Sequence, residues 1–147
     1  MYKRILVATD GSDLSAKAVA SAIDMAKMAG ADLVALNVTH IGQLSYWDGT
    51  TRVGMEEVAA NEKRMAAIGQ KTVDEVKAQA VAKGVQAQAI TVKSDLIAEA
   101  IVDTAKKHGC DLIVMASHGR RGINRILLGS ETLQVLTQSR IPVLVLR

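Results

Sequence analysis

The chain has 147 residues, of which 49% are hydrophobic and 22% are charged. This length and apolar content predict one globular domain, residues 1–147, and exclude the composition of a disordered protein. A net charge of +3, a single Trp, two Tyr and no Phe argue against a nucleic-acid-binding surface, which needs basic patches and aromatic platforms.

The cellular compartment is indicated by cysteine use and by the start of the chain. A single cysteine, Cys110, cannot form an intramolecular disulfide, which favours a reducing environment. The apolar stretch at residues 5–8 is too short for a signal peptide or a membrane-spanning helix. We therefore expect a cytoplasmic protein that binds neither membrane nor nucleic acid.

The first half of the chain predicts two strands and two helices. Residues 4–10 form a short apolar run that predicts a buried strand. Apolar residues at helical spacing predict a helix over 12–29, and a second apolar run predicts a strand over 32–40. Residues 41–54 have no clear period and predict a loop, whereas 55–83 are rich in good helix formers.

The second half continues the alternation. Residues 85–93 alternate apolar and polar side chains, which is typical of an edge strand with one exposed face. A helix over 96–109 and a buried strand over 111–116 follow. A fourth helix is predicted over 130–139 and a fifth strand over 141–146.

Short polar residues and glycines mark where these helices begin and end. The expected starts are Ser12 or Asp13 for the first helix, and Ser94 with Asp95 for the third. Gly30 and Gly84 follow the first two helices, where glycine commonly terminates a helix. Gly69 is the weak point of the long second helix and a place where it would bend.

The order of the elements predicts the fold. Strict alternation of strands and helices indicates an α/β protein with a parallel sheet and helices on both faces. We expect a single doubly wound five-stranded sheet. Ligands of such sheets bind outside the carboxyl ends of the strands, where the winding reverses.

The segment from Ala116 to Ser130 carries the clearest functional signal. It connects the fourth strand to the fourth helix and places glycines where backbone would approach a ligand. A helix amino terminus offers unpaired N–H groups to a phosphate, and glycine leaves room for its oxygens. The alternative is that Gly119, Gly122 and Gly129 are turn and cap glycines, with Ser130 an ordinary helix cap.

A carboxylate at the end of the first strand strengthens that signal. If the first and fourth strands are neighbours, Asp10 faces the same crevice as the glycine segment and can accept hydrogen bonds from a ribose or an adenine. The alternative is a turn residue ahead of Gly11, which is the commoner use of Asp-Gly-Ser.

Three stretches of the chain resemble the universal stress protein family: KRILVATDGSDLSAKAV, CDLIVMASHGRRGINRILLGSETLQVL and IPVLVLR. ATP-binding members of that family carry Gly, two residues, Gly, nine residues, then Gly and Ser or Thr. The chain matches this motif at Gly119, Gly129 and Ser130, and has Ala116 in place of the first glycine. The resemblance implies the strand order 3-2-1-4-5.

The resemblance also implies a site for ATP, with Mg²⁺ brought by the phosphates. On the adenosine side it places Ala8, Thr9 and Asp10, together with the backbone of Val38. The residues implied around the phosphates, or lying in the glycine segment beside them, are Ala116, Ser117, His118, Gly119, Arg120, Gly122, Gly129, Ser130, Glu131 and Thr132.

We expect a nucleotide-dependent sensor in the stress response, with slow ATP hydrolysis or none and no catalytic residue of its own. The P-loop motif of fast NTPases is absent, and a lone His118 beside a glycine turn is more often a contact than a general base. Two alternatives remain open: a dimeric interaction module without nucleotide, which Ala116 supports, and an enzyme using Asp10, His118 and Glu131.

Partners and metals are predicted less directly. The closing strand, from Ile141 to Leu146, is apolar and lies at a sheet edge in the implied order, so we expect a homodimer joined there, besides an unidentified protein partner. His40, His108 and Cys110 are too scattered to form a metal site of their own.

Overall fold

The computed structural model describes residues 1–40, 54–119 and 128–147 of the chain. Strands and helices alternate there in the order β1 (Arg4–Ala8), α1 (Asp13–Ala29), β2 (Asp32–Thr39), α2 (Met55–Ala82), β3 (Ala87–Lys93), α3 (Ile97–Lys107), β4 (Leu112–Ala116), α4 (Ser130–Gln138) and β5 (Val143–Leu146). The strands lie in the order β3-β2-β1-β4-β5, and every neighbouring pair is parallel. The predicted α/β fold and strand order are confirmed.

Two apolar cores cover the two faces of the sheet. Alternate strand residues point to opposite faces, so Ile5 and Val7 pack with α1 and α2, whereas Leu6 packs with α3 and α4. All three side chains are fully buried, and each such burial contributes roughly 1.5–3 kcal/mol. The helices therefore lie on both faces, as the continuous apolar strands predict.

Both ends of α1 follow the expected capping chemistry. Ser12 caps α1 through its hydroxyl, which accepts a hydrogen bond from the Ser15 amide at 3.2 Å, and Gly30 ends the helix with a φ of 67°. α2 continues as a helix through Gly69 for 28 residues. No helix in the described ranges combines the length and apolar character needed to cross a membrane.

Two element starts differ from the prediction. α3 begins at Ile97 with Leu96 as its cap, because the Ser94 hydroxyl accepts a hydrogen bond from the Leu96 amide instead of capping the helix. β5 begins at Val143, because Pro142 has no N–H for a ladder and because the Ser139 hydroxyl bonds both the N–H and the C=O of Ile141.

Side-chain contacts connect the amino-terminal ends of the strands. The Asp111 carboxylate accepts hydrogen bonds from the backbone amides of Lys3 and Arg4 at 2.8 and 3.1 Å. The Arg4 guanidinium donates to the His108 carbonyl at 2.8 Å and pairs with Asp32 at 3.5 Å. These contacts join the starts of β1, β2 and β4. They fix the strands relative to one another at the end opposite to their carboxyl ends.

Candidate functional site

The carboxyl ends of β1 and β4 lie side by side at the point where the sheet reverses its winding. The register pairs Ile5 with Leu112 and Val7 with Val114. From there the chain passes from β1 to α1 on one face, and from β4 to α4 on the other. Such a divergence opens a crevice between two connections, which is where α/β proteins of this kind hold their ligands.

The connection from β1 to α1 is a tightly bonded turn. The Thr9 amide donates to the Leu36 carbonyl at 2.9 Å, so the chain stays beside β2 for one residue beyond the strand. Asp10 then leaves the sheet, and its Oδ1 accepts a hydrogen bond from the Ser12 amide at 2.9 Å. Gly11 takes a φ of 80°, which suits glycine, and this turn is the reason that β1 ends at Ala8 and not at Asp10.

Asp10 approaches the glycine segment directly. A Cβ placed on Gly119 would lie 3.0 Å from Oδ2 of Asp10, closer than side chains ordinarily pack. The carboxylate and the glycine backbone therefore border one space, although they are far apart in sequence. This confirms the neighbouring of the first and fourth strands on which the prediction for Asp10 depended.

The two ends of the connection from β4 to α4 are pinned together. The Gly129 amide donates to the Ser117 carbonyl at 2.8 Å. The Thr132 hydroxyl lies 3.1 Å from the carbonyl oxygens of both Ala116 and Ser117, and Thr132 is buried. A phosphate contact from Thr132 would therefore have to use its backbone, because its hydroxyl proton is engaged inside the protein.

Ala116 has an unstrained backbone. It is the last residue of β4, pairs with Leu146 of β5, and lies in a part of the chain where only glycines have positive φ. Its methyl group packs in the core formed with α1 and α2. The alanine at the first motif position thus requires no left-handed backbone and projects no side chain from an exposed loop.

The amino terminus of α4 faces this connection without a side-chain cap. Gly129 is the cap residue, and no side-chain cap bond is present among the described residues. Ser130 is exposed, while Oε2 of Glu131 is shielded from solvent and has no hydrogen-bond partner within the described chain. A carboxylate is favoured near a helix amino terminus, and an unpaired buried oxygen can take a water, a ligand or a cation as its partner.

Ser117 and His118 form the most enzyme-like contact of the site, with 3.0 Å between Oγ and Nδ1. Ser117, however, is only 3% exposed. A hydroxyl that a substrate cannot reach does not act as a nucleophile, so the contact orients the imidazole instead. Within the described residues, no cluster of three His, Cys, Asp or Glu side chains could hold a metal ion.

The remaining predicted residues divide between the far side of the crevice and the part of the chain that is not described. Ala8 is the last residue of β1, and Val38 is the last but one of β2. Both are partly buried on the sheet face of α3 and α4. Arg120 and Gly122 lie outside the described residues. Sequence reasoning missed Asn37, whose amide reaches the Thr9 carbonyl at 3.0 Å, since an asparagine inside an apolar strand carries no motif.

Comparison with known proteins places this architecture. The universal stress protein YxiE of Bacillus subtilis is 34% identical over 152 residues, covering 100% of both chains. The solved structure of MJ0577 from Methanocaldococcus jannaschii is 27% identical, with a TM-score of 0.83 over 99% of this chain and 96% of that one. A universal stress protein solved in complex with cAMP is 26% identical, with a TM-score of 0.72 over 99% and 97% of the two chains. The universal stress protein family matches residues 1–147, and the chain belongs to that family.

Proposed function

We propose that residues 1–147 form one nucleotide-binding domain, which holds ATP in the crevice between the β1–α1 turn and the β4–α4 connection. The observation that carries the proposal is the approach of Asp10 to Gly119, because it brings a carboxylate suited to a ribose beside backbone suited to phosphates. The related structure with bound cAMP supports an adenine nucleotide as the ligand.

The adenosine side of the proposed site lies at the carboxyl ends of β1 and β2. Ala8 and Val38 offer apolar surface and backbone at the strand ends, Thr9 belongs to the turn, and Asp10 supplies the acceptor for the ribose hydroxyls. Hydrogen bonds to a charged acceptor are stronger than neutral ones, so Asp10 is the main polar anchor of the nucleoside.

The phosphate side is the backbone around the amino terminus of α4. Gly119, Gly129 and Ser130 leave the approach open, and Ala116, Ser117, His118 and Thr132 hold the loop ends in place. Arg120 and Gly122, in the same connection, complete the proposed set. The unpaired buried oxygen of Glu131 fits a divalent cation between the carboxylate and the phosphates, so we assign Mg²⁺ to the bound nucleotide.

Nucleotide occupancy, not turnover, is the proposed output. The serine nearest to His118 is buried, and the chain contains no P-loop motif, so hydrolysis is slow or absent. The protein would then act in the cytoplasm as a stress-response sensor whose bound state an unidentified partner detects.

The decisive experiment is calorimetric titration with ATP and Mg²⁺ of the wild type and of two matched valine variants. Gly129→Val places a side chain against the Ser117 carbonyl and His118, whereas a Cβ on Gly54 has no neighbour within 4 Å among the described residues. Both glycines cap helices with nearly the same backbone angles, −63° and 154° against −62° and 149°. We expect saturable binding that is lost in Gly129→Val and kept in Gly54→Val. No binding by the wild type would refute the proposal.

A second candidate function is a dimeric interaction module without nucleotide. β5 is an edge strand whose four residues are all partly exposed, and Leu133 and Leu136 of α4 are 50% and 40% exposed. We propose a homodimer through the closing strand, from Ile141 to Leu146, in either function. Sedimentation at several concentrations tests it: a dimer without ATP binding favours the second candidate, and a monomer throughout contradicts the homodimer.

A further inference from the structure

Behind the β1–α1 turn lies a small set of buried polar side chains, the Asn37 cluster, formed by Thr9, Asn37 and Thr39. Their exposed fractions are 7%, 9% and 6%. They occupy the face of the sheet covered by α1 and α2, just where β1 and β2 end. Buried polar groups in an apolar core are costly unless they are bonded, so their contacts indicate what they hold in place.

The bonds of the cluster fix one orientation of the Asn37 amide. Its Nδ2 donates to the Thr9 carbonyl at 3.0 Å, and its Oδ1 accepts from the Thr39 hydroxyl at 3.2 Å. The Thr9 carbonyl can only accept, so the nitrogen of the amide must face it. Thr39 then donates its hydroxyl to the oxygen, so both polar atoms of the amide are bonded.

α2 encloses the same amide from the other side. A Cβ on Gly69 would overlap Oδ1 of Asn37 and would lie 3.2 Å from Oγ1 of Thr39. Gly69 is buried in the middle of a continuous helix, a position where glycine lowers helix stability. Its presence there is explained by the room that it leaves for the Asn37 side chain.

The Thr9 carbonyl is the point through which the cluster reaches the candidate site. The peptide plane that contains this oxygen also contains the Cα of Asp10. A hydrogen bond to the oxygen therefore fixes the direction in which the chain delivers Asp10. The Thr9 hydroxyl adds a second tie, since it lies 3.0 Å from Oγ of Ser15 in α1.

We infer that Asn37 is a positioning residue for Asp10, and that Gly69 of α2 is the space that allows it. Asn37 touches no ligand in this scheme. It holds the Thr9–Asp10 peptide so that the carboxylate meets the ribose hydroxyls of the nucleotide, and it thereby connects the packing of α2 to the nucleoside side of the site. The inference rests on the proposed function.

The test uses the ratio of affinities for ATP and for 2′,3′-dideoxy-ATP, which lacks both ribose hydroxyls. The wild type should prefer ATP about tenfold, the value of one hydrogen bond to a charged group. Asn37→Ala, and the milder Thr39→Val, should reduce this preference to threefold or less. Gly69→Ala should do the same, and should add nothing to Asn37→Ala in the double variant.

The matched control is Thr104→Val, which removes another buried hydroxyl bond, from Oγ1 to the Ala100 carbonyl at 2.7 Å in α3. It should lower the urea midpoint and leave the ATP preference unchanged. An unchanged preference in folded Asn37→Ala and Thr39→Val overturns the inference, as does a wild type that binds both nucleotides equally. If the inference fails but ATP binding is lost in Gly129→Val and kept in Gly54→Val, the proposed function stands. A wild type that binds no nucleotide overturns both the inference and the proposed function.

Discussion

Oδ2 of Asp10 lies 3.0 Å from the place that a Cβ of Gly119 would occupy. The turn after β1 and the connection after β4 are thus in contact at the carboxyl edge of the sheet, and the contact depends on the absence of one side chain. This relationship gives the most direct test of the crevice.

Gly119→Ala should weaken ATP binding about tenfold, because the new methyl group displaces the Asp10 carboxylate from the position in which it would meet the ribose. Calorimetric titration measures the change. Gly54→Ala is the matched control, since a Cβ there has no neighbour within 4 Å in the part of the chain that the structure describes. Equal affinities of the two variants would show that Asp10 does not contribute to the site.

Glu131→Gln should make ATP binding less dependent on magnesium. A carboxylate near phosphates repels them unless a divalent cation lies between, whereas an amide does not. We expect the wild type to lose at least tenfold in affinity when Mg²⁺ is replaced by EDTA, and the variant to lose threefold or less. Glu99→Gln, at an exposed position in the first turn of α3, should behave as the wild type does. A wild type indifferent to EDTA would contradict the assigned cation.

Thr132→Val should lower the free energy of unfolding by about 1–2 kcal/mol, because it leaves the buried carbonyls of Ala116 and Ser117 with one partner fewer. Urea denaturation measures the loss. Thr137→Val provides a control on the same helix: its hydroxyl bonds the Leu133 carbonyl at an exposed position, so the change should stay within about 0.5 kcal/mol. Equal losses of unfolding free energy in the two variants would mean that the Thr132 hydrogen bonds between β4 and α4 stabilise the fold no more than an exposed hydroxyl bond does.

Cys110 should be unreactive in the folded protein. Burial raises the pKa of its thiol from 9.0 to about 11, with a smaller lowering by Arg4 and a further raising by Asp111. Since the thiolate is the reactive form, a disulfide reagent at pH 8 should modify the folded chain at least tenfold more slowly than the urea-unfolded chain.

The raised pKa of Cys110 also makes the stability of the protein depend on pH. The unfolded chain loses its thiol proton first as the pH rises above 9, whereas the folded chain keeps it up to about 11. The contribution of Cys110 to stability is therefore complete below pH 9 and falls between pH 9 and 11. Cys110→Ala should show a smaller decrease over this interval, and identical pH profiles would refute the raised pKa.

The sequence predicted the features that depend on local pattern. The apolar runs located all five strands, and Ser12 and Gly30 marked the ends of α1 because capping involves residues only a few positions apart. The bend expected at Gly69 stays a prediction. The reason for a glycine at that position was missed, because its neighbours Asn37 and Thr39 belong to another element. Contacts between residues about 30 positions apart leave no periodic trace in a single sequence.

The sequence likewise predicted only part of the candidate site. The pairing of Asp10 with the glycine segment followed from the topology of doubly wound sheets, and the structure brings Asp10 and Gly119 together. The engagement of the Thr132 hydroxyl and the unpaired oxygen of Glu131 did not follow, because both depend on how α4 meets the end of β4. A helix start identified from sequence does not fix the rotamers of its first turn.

The fastening of the amino-terminal edge by Asp111, Arg4 and Asp32 has a consequence for how the protein tolerates change. These hydrogen bonds and this ion pair join one end of the strands, and the proposed recognition takes place at the other. Effects of substitutions at such distant points generally add. Substitutions that strengthen the contacts at the amino-terminal ends would therefore raise the stability of the chain and offset destabilising substitutions around the crevice. The carboxyl ends of the strands are thus a suitable place to engineer altered ligand preference.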